Sequence, residues 1–443
     1  MNPIISLVGI FLGLVLLIVL AYKGHSIIWV APLCAIFVAV LGGLHLLDAY
    51  LDDYMKGVAD YVLSWFPAFF LGAVYGKIMD MTGAARSLAN KLIRLIGSRF
   101  ALLAVVLPCM LMTYGGISLF VVVFVIYPMG YAIYREANLP RTLLPGAIAY
   151  GAFGITMTCI PGSPQIQNII PTNYYGTTAA AAPLMGLIAA VMIAVPGYIY
   201  LDWRIRQARK KGLCFREDPK YKADAFDEAA LPKWHWLCGL LPLIVVVLML
   251  NVLPEFVTLS ASEAIVVALL GGIAVVCLLN LFQWKKLLPA VNAGANGSLT
   301  AIMNTACAVG FGSVVKAVPG FLLLKTAMLK MPGSILFSEA VAVNTLAGAT
   351  GSASGGMSIA LEALSAQYLE KAAAIGLDPA YLHRIASIAS GGLDTLPHNG
   401  AVLTLLAISN CTHKESYWDI CVTSCIIPVA VSLILSLVWG IFI

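Results

Sequence analysis

Residues 101–134 read ALLAVVLPCMLMTYGGISLFVVVFVIYPMGYAIY, about 34 residues without a single charged side chain. One helix crosses a hydrocarbon core of roughly 30 Å with about 20 residues, so this run is too long for one span. Tyr114-Gly115-Gly116-Ile117-Ser118 interrupts it near its middle. A re-entrant hairpin satisfies both facts: two helices enter and leave on the same side, and the Gly-Gly turn is the tip.

Outward from that hairpin the chain keeps the same character. Spans are predicted near 3–22, 26–44 and 58–81, followed by a basic amphipathic stretch from Arg86 to Arg99. After the hairpin comes a span over 142–170, broken at Pro161-Gly162-Ser163-Pro164, and an unbroken one from about Ala180 to Trp203. Residues 204–234 hold nine Lys/Arg and read as a solvated linker. The pattern then restarts, with spans near 235–253, 262–283 and 295–318 and an interfacial stretch to Met331. A Gly/Ser-interrupted hairpin over 335–373, a broken span over 380–406 and a last span to Ile443 complete it.

The composition agrees: 61% of residues are hydrophobic and 11% charged, where a soluble domain spends about a quarter on charges. The first apolar run has no basic segment before it and no small-residue cleavage signature after it, so it is expected to be a retained span. The net charge of +5 comes from cations beside the ends of apolar runs, which topology explains, and no nucleic-acid partner is expected. The ten cysteines are scattered without CxxC or Cys/His spacing; they read as packing residues, with no metal or other cofactor.

The halves align at an offset of about 240 residues. Gly115-Gly116-Ile117-Ser118 answers Gly355-Gly356-Met357-Ser358, the stretch ending at Gly72 answers the one ending at Gly312, Gly97-Ser98 answers Gly333-Ser334, and Pro161 falls opposite Pro397. Each half has five spans, and an odd number turns the second copy upside down. The expected fold is therefore an all-α polytopic membrane protein of two inverted repeats, 1–203 and 235–443, each with one broken span and one re-entrant hairpin. By the positive-inside rule the linker lies in the cytoplasm with about 20 of the cations, and both termini lie outside.

Broken backbone at membrane depth leaves amides and carbonyls that protein, water or ligand must satisfy. Four such places exist, two tips and two breaks, and helix N-termini meeting there would form an anion site. The candidate substrate-binding residues are Tyr114, Gly115, Gly116 and Ser118 at the first tip, and Thr158, Ser163, Gln165 and Asn168 at the first break. Thr350, Ser352, Ser354, Gly355, Gly356 and Ser358 follow at the second tip, with Thr395 and Asn399 at the second break. Small-residue helix packing is the bland alternative for any one of these. Asp394 and His398 are ionisable residues inside a span and are candidates for the coupling proton; a mutual hydrogen bond closing the broken helix is the alternative. No Lys or Arg falls in the four breaks, and Arg384 is expected near a membrane surface. One carboxylate held by helix termini and hydroxyls fits such a site.

Tyr114-Gly-Gly-Ile-Ser118, Cys159-Ile-Pro-Gly-Ser-Pro-Gln165, Ser390-Gly-Gly-Leu-Asp-Thr-Leu-Pro-His-Asn-Gly400 and Thr412-His-Lys-Glu-Ser-Tyr417 resemble the gluconate permease (GntP) family of the ion transporter superfamily. The resemblance covers nearly the whole chain. It implies an inner-membrane secondary transporter for gluconate-like or shorter hydroxy acids, proton-driven, elevator-like in its motion and commonly dimeric. The Leu-Asp-Thr-Leu-Pro-His-Asn-Gly version is similar to the branch associated with 3-hydroxybutyrate; a gluconate or related sugar-acid symporter, or a sodium-coupled carboxylate transporter, is the alternative. The Ser-Asn-Thr signatures of sodium-coupled relatives are absent from both tips, which favours protons over sodium. An enzyme is not expected, because no GxSxG, HExxH or paired-Asp motif occurs, and a passive channel would need neither the Asp/His pair nor closable hairpins.

Overall fold

In lipid a helix is the one single-segment structure that pairs its own backbone groups. The computed structural model, which describes residues 2–23, 25–117, 119–218, 231–329, 333–397 and 399–442, follows that constraint throughout. The first half comprises α1 (Pro3–Tyr22), α2 (Ile27–Gly42), α3 (Leu46–Met81), α4 (Ala84–Ile96), the hairpin α5 (Ala101–Tyr114) and α6 (Leu119–Glu136), the broken span α7 (144–158) and α8 (Ile166–Tyr175), and α9 (Pro183–Lys210). The second half repeats the order. It comprises α10 (Trp236–Asn251), α11 (Ala261–Leu279), α12 (Trp284–Ala317), α13 (Gly320–Leu329), the hairpin α14 (Ile335–Thr350) and α15 (Ala353–Ile375), the broken span α16 (Pro379–Ser390) and α17 (Gly400–Ile408), and α18 (413–442). Among the described residues six helices are long and apolar enough to span a bilayer, seven when the α4–α5 pair, bent by 96°, is taken as one.

The helices form two groups. In the first, α12 lies along α3 and α2, α11 packs on α3, and α10 packs on α11 and α4. The α3–α12 contact is backbone-close: a Cβ on Gly294 would sit 2.6 Å from Val74 Cα, and one on Gly310 would sit 2.8 Å from the Tyr54 carbonyl. Small residues replace the hydrophobic drive that lipid removes. The second group holds both hairpins, both broken spans, α9 and α18. α15 packs against α12 and joins the two groups.

α4 buries Leu88 and Ile93 on one face and leaves Leu95 exposed at its end, which suits a helix lying in the interface before the chain turns inward. The linker needs a correction at its start. α9 continues two turns past Arg204 to Lys210, and the following coil is held on the hairpin base, where Tyr131 donates to Glu217 Oε2 at 2.8 Å and Asp218 is buried beside Arg141. Carboxylates at its end find cations at the hairpin's foot, while residues 210–214, 216 and 217 stay exposed, as expected of a solvated linker. Residues 219–230 of the expected linker lie outside the described residues.

Candidate functional site

Both hairpin tips are held by side chains from the adjoining breaks. At the first tip the chain turns through Gly116, whose φ is +88° and where a Cβ would stand 2.7 Å from Pro164 Cγ; glycine alone adopts that conformation easily. Gln165 Nε2 donates to the carbonyls of Thr113 (2.6 Å) and Ile117 (3.2 Å). Ser163 Oγ donates to the Tyr114 carbonyl, and Tyr114 Oη returns a bond to the Pro161 carbonyl, both 3.2 Å.

At the second tip α14 ends at Thr350 and α15 begins after Ser352, whose Oγ accepts from Gly355 N at 3.1 Å. Asn399 joins this tip to the second break. Its Oδ1 accepts from the first-turn amides of Ala401 (2.7 Å) and Val402 (2.9 Å), capping α17, while Nδ2 donates to the Gly351 carbonyl at 3.0 Å. The breaks also meet each other: Ser387 Oγ donates to the Thr158 carbonyl at 2.7 Å, and Gly391 lies against Thr158.

Between these elements and the α3/α12 group lies a cavity of about 640 Å³. The second tip contributes Thr350, Gly351, Ser352 and Ser354, the second break Asp394, Asn399 and Gly400, and the first break Met157 and Gln167. Thr300, Asn304 and Thr305 face it from α12, and His25 and Ser26 from the α1–α2 connection. An adjoining cavity of about 430 Å³ shares Phe69, Leu119, Gln167 and Ser354 and adds Gly116, Gln165 and Lys77, the last paired with Asp80 at 3.0 Å.

Seven of the sequence candidates therefore line cavity walls: Gly116, Gln165, Thr350, Ser352, Ser354, Asp394 and Asn399. Tyr114, Gly115, Thr158, Ser163, Asn168, Gly355, Gly356, Ser358 and Thr395 stand behind them. Gly115 packs under Leu243, and Gly356 lets α15 approach the α14 backbone at Ala347. Thr395 Oγ1 donates to the Ser424 carbonyl at 2.7 Å. Ser118 and His398 lie outside the described residues.

Arg384, expected near a membrane surface, is enclosed by protein. It is fully buried, with Nη1 on Asn168 Oδ1 (2.8 Å), Nη2 and Nε on the Ala181 carbonyl (2.7 and 3.0 Å) and Nη2 on the Ala179 carbonyl (3.2 Å). The non-helical chain between α8 and α9 leaves carbonyls that a forked donor reaches together, which lets a cation sit inside the protein. Its donors are committed to protein oxygens, and it does not line the cavity.

Sequence reasoning passed over Thr300, Asn304, Thr305 and Gln167. Thr300 and Asn304 are four apart on an otherwise apolar helix, a polar stripe that attention to interruptions alone does not register. Electrostatically the cavity pairs two unlike features. The N-terminal ends of α15 and α17 turn the positive ends of two helix dipoles toward it, with the Gly355, Ala401 and Val402 amides already capped by Ser352 and Asn399. Asp394, buried in its wall, has an Oδ1 with no hydrogen-bond partner.

The GntP family permease model matches residues 1–317, and the uncharacterized transporter YxjC of Bacillus subtilis is 40% identical over 450 residues, covering 94% of this chain and 95% of YxjC. The chain belongs to the GntP permease family. An uncharacterized permease of Haemophilus influenzae is 23% identical to this GntP permease over 229 residues, 51% of this chain and 46% of that one. The crystal structure of the Alcanivorax borkumensis YdaH transporter, described as having an unusual topology, superposes with a TM-score of 0.61 over 99% of this chain and 98% of its own, at 15% identity. That likeness shows that the permease has a transporter fold.

Proposed function

We propose that this permease is a proton symporter that imports a small organic carboxylate, with a short hydroxy acid such as 3-hydroxybutyrate as cargo. The observation that carries the reading is the unpartnered Asp394 oxygen in the wall of the cavity that α15 and α17 open onto. An anion held at those helix starts and an ionised Asp394 repel each other by about 3 kcal/mol at ~5 Å and an effective dielectric of ~20. A protonated Asp394 removes that repulsion and can donate to the substrate, so proton and anion load together. His398, four residues on, is assigned to pass the proton.

The neutral hydroxyls and amides of Thr300, Asn304, Thr350 and Ser352 suit one carboxylate with a nearby hydroxyl. Arg384 is occupied elsewhere, so a second carboxylate would lack a partner. The group of hairpins and broken spans is the moving body, sliding against α3 and α12 in an elevator-like motion. The repeated element order and the shared tip-to-break ties support reading the halves as inverted repeats. The inner membrane, a cytoplasmic linker, outward termini and a homodimer complete the proposal.

Counterflow in proteoliposomes tests it: labelled 3-hydroxybutyrate should exchange against unlabelled acid, and short 3-hydroxy acids should raise the unfolding temperature more than gluconate or citrate. Absence of exchange for all of these acids, or citrate giving the largest stabilisation, contradicts the reading.

A further inference from the structure

Glu339 lies one turn into hairpin α14–α15 and is fully buried. Tyr175, the last residue of α8, donates its hydroxyl to Glu339 Oε1, while Oε2 has no hydrogen-bond partner. None of the ion pairs among the described residues includes it. The neighbouring Ser338 shares a bond of 3.1 Å with Tyr368 of α15. On α16, His383 Nδ1 meets Thr177 Oγ1 at 2.6 Å and its Nε2 is unpartnered, while Arg384 is spent on Asn168, Ala179 and Ala181. The turn packed on the far end of α14 brings Asp394. α1 and residues 427–442 carry no Asp, Glu, Lys, Arg or His, and Lys325 of α13 has a side chain outside the described residues.

Tyr174, the chain neighbour of Tyr175, reaches solvent. Tyr174 Oη donates to Glu362 Oε2 at 3.4 Å, and Glu362 Oε1 pairs with Lys316 of α12 at 2.9 Å. Tyr174, Glu362 and Lys316 line a vestibule of about 360 Å³ together with Asp52, Asp53, Lys56 and Asp60. Consecutive tyrosines at one helix end thus reach an acid in an open vestibule and an acid sealed in the protein.

An ionised carboxylate sealed away with one neutral donor and no cation is costly, so Glu339 holds a proton in this conformation. A carboxyl serving only as structural glue would find an acceptor for its own O–H, and Oε2 has none. We infer that Glu339 is a second proton-binding site of the permease, with Tyr175 as the group that hands it the proton. Tyr175 passes its hydroxyl proton to the Glu339 carboxylate and regains one from water that enters beside Tyr174, so no net charge stays on the tyrosine. The inference rests on the proton-coupled reading above and adds a site remote from the substrate cavity.

Infrared difference spectroscopy of the purified permease in lipid nanodiscs, stepped from about pH 5 to about pH 9, reads this without any substrate. A protonated-carboxyl band that titrates should be present in Asp394→Asn, where position 394 cannot contribute, and missing when Glu339→Gln is added to it. Glu339→Asp should shift the band rather than abolish it, which serves if the Gln variant fails to fold. Tyr175→Phe should keep the amplitude and slow proton uptake at least about tenfold after a pH jump. A band that does not titrate in Asp394→Asn, or one left unchanged there by Glu339→Gln and by Glu339→Asp, overturns the inference. Failure here with intact wild-type counterflow removes only the second site, whereas loss of wild-type counterflow removes the transport reading.

Discussion

Asn399 is the best single handle on how the second tip is held, because its two ends do separable work. Replacing it by Ala removes the cap of α17, worth about 0.5–2 kcal/mol, and leaves the Gly351 carbonyl without its donor, at about 1–3 kcal/mol. The sum is roughly 2–5 kcal/mol. Ser retains a capping oxygen but is too short to reach Gly351, so Asn399→Ser isolates the tie. Hydrogen exchange by mass spectrometry in nanodiscs reads local opening of residues 345–358. Losing 1–3 kcal/mol of local stability accelerates exchange there by about 5- to 150-fold. Asn399→Ser should show that acceleration at the tip while leaving 400–408 near wild type, and Asn399→Ala should accelerate both segments. Wild-type exchange at the tip in Asn399→Ser would refute the claim that this side chain holds it.

Arg384→Lys should lower folding stability by about 3 kcal/mol or more, because a point charge remains buried without the fork that served three oxygens; thermal unfolding in detergent checks this, and a wild-type melting temperature would contradict it. His235, just ahead of α10, sits between Ser87 Oγ (2.8 Å) and Asn280 Oδ1 (2.9 Å), and burial lowers its pKa below the ordinary value of 6.5. The folded protein therefore resists protonation, and the stability this site contributes is present above the unfolded pKa. It is lost at up to about 1.4 kcal/mol per pH unit as pH falls from about 6.5 toward the folded value. Melting temperature against pH should drop more steeply on the acid side in wild type than in His235→Asn, and parallel curves would count against it.

Much of this molecule is legible in its residues. The hairpin at 101–134 follows from a run too long for one span with Gly-Gly at its centre, and the breaks follow from Pro-Gly and Gly-Gly inside apolar runs. Asp394 stands out because an acid within a span is expensive. What the sequence hides is the partner of each polar group. Gln165 and Asn399 read equally well as ligands of a substrate or of the chain, and the folded protein uses both to hold tip carbonyls. Arg384 looked peripheral because its acceptors lie about 200 residues away, at Ala179 and Ala181. Glu339 and Asn304 sit in unbroken helices, where nothing local marks them.

The most direct test of proton-coupled carboxylate import is uptake of labelled 3-hydroxybutyrate into proteoliposomes under an inside-alkaline gradient. Wild type should accumulate it, whereas Asp394→Asn, permanently neutral at that position, should exchange it in counterflow and fail to concentrate it. Undiminished gradient-driven accumulation by Asp394→Asn would contradict the account.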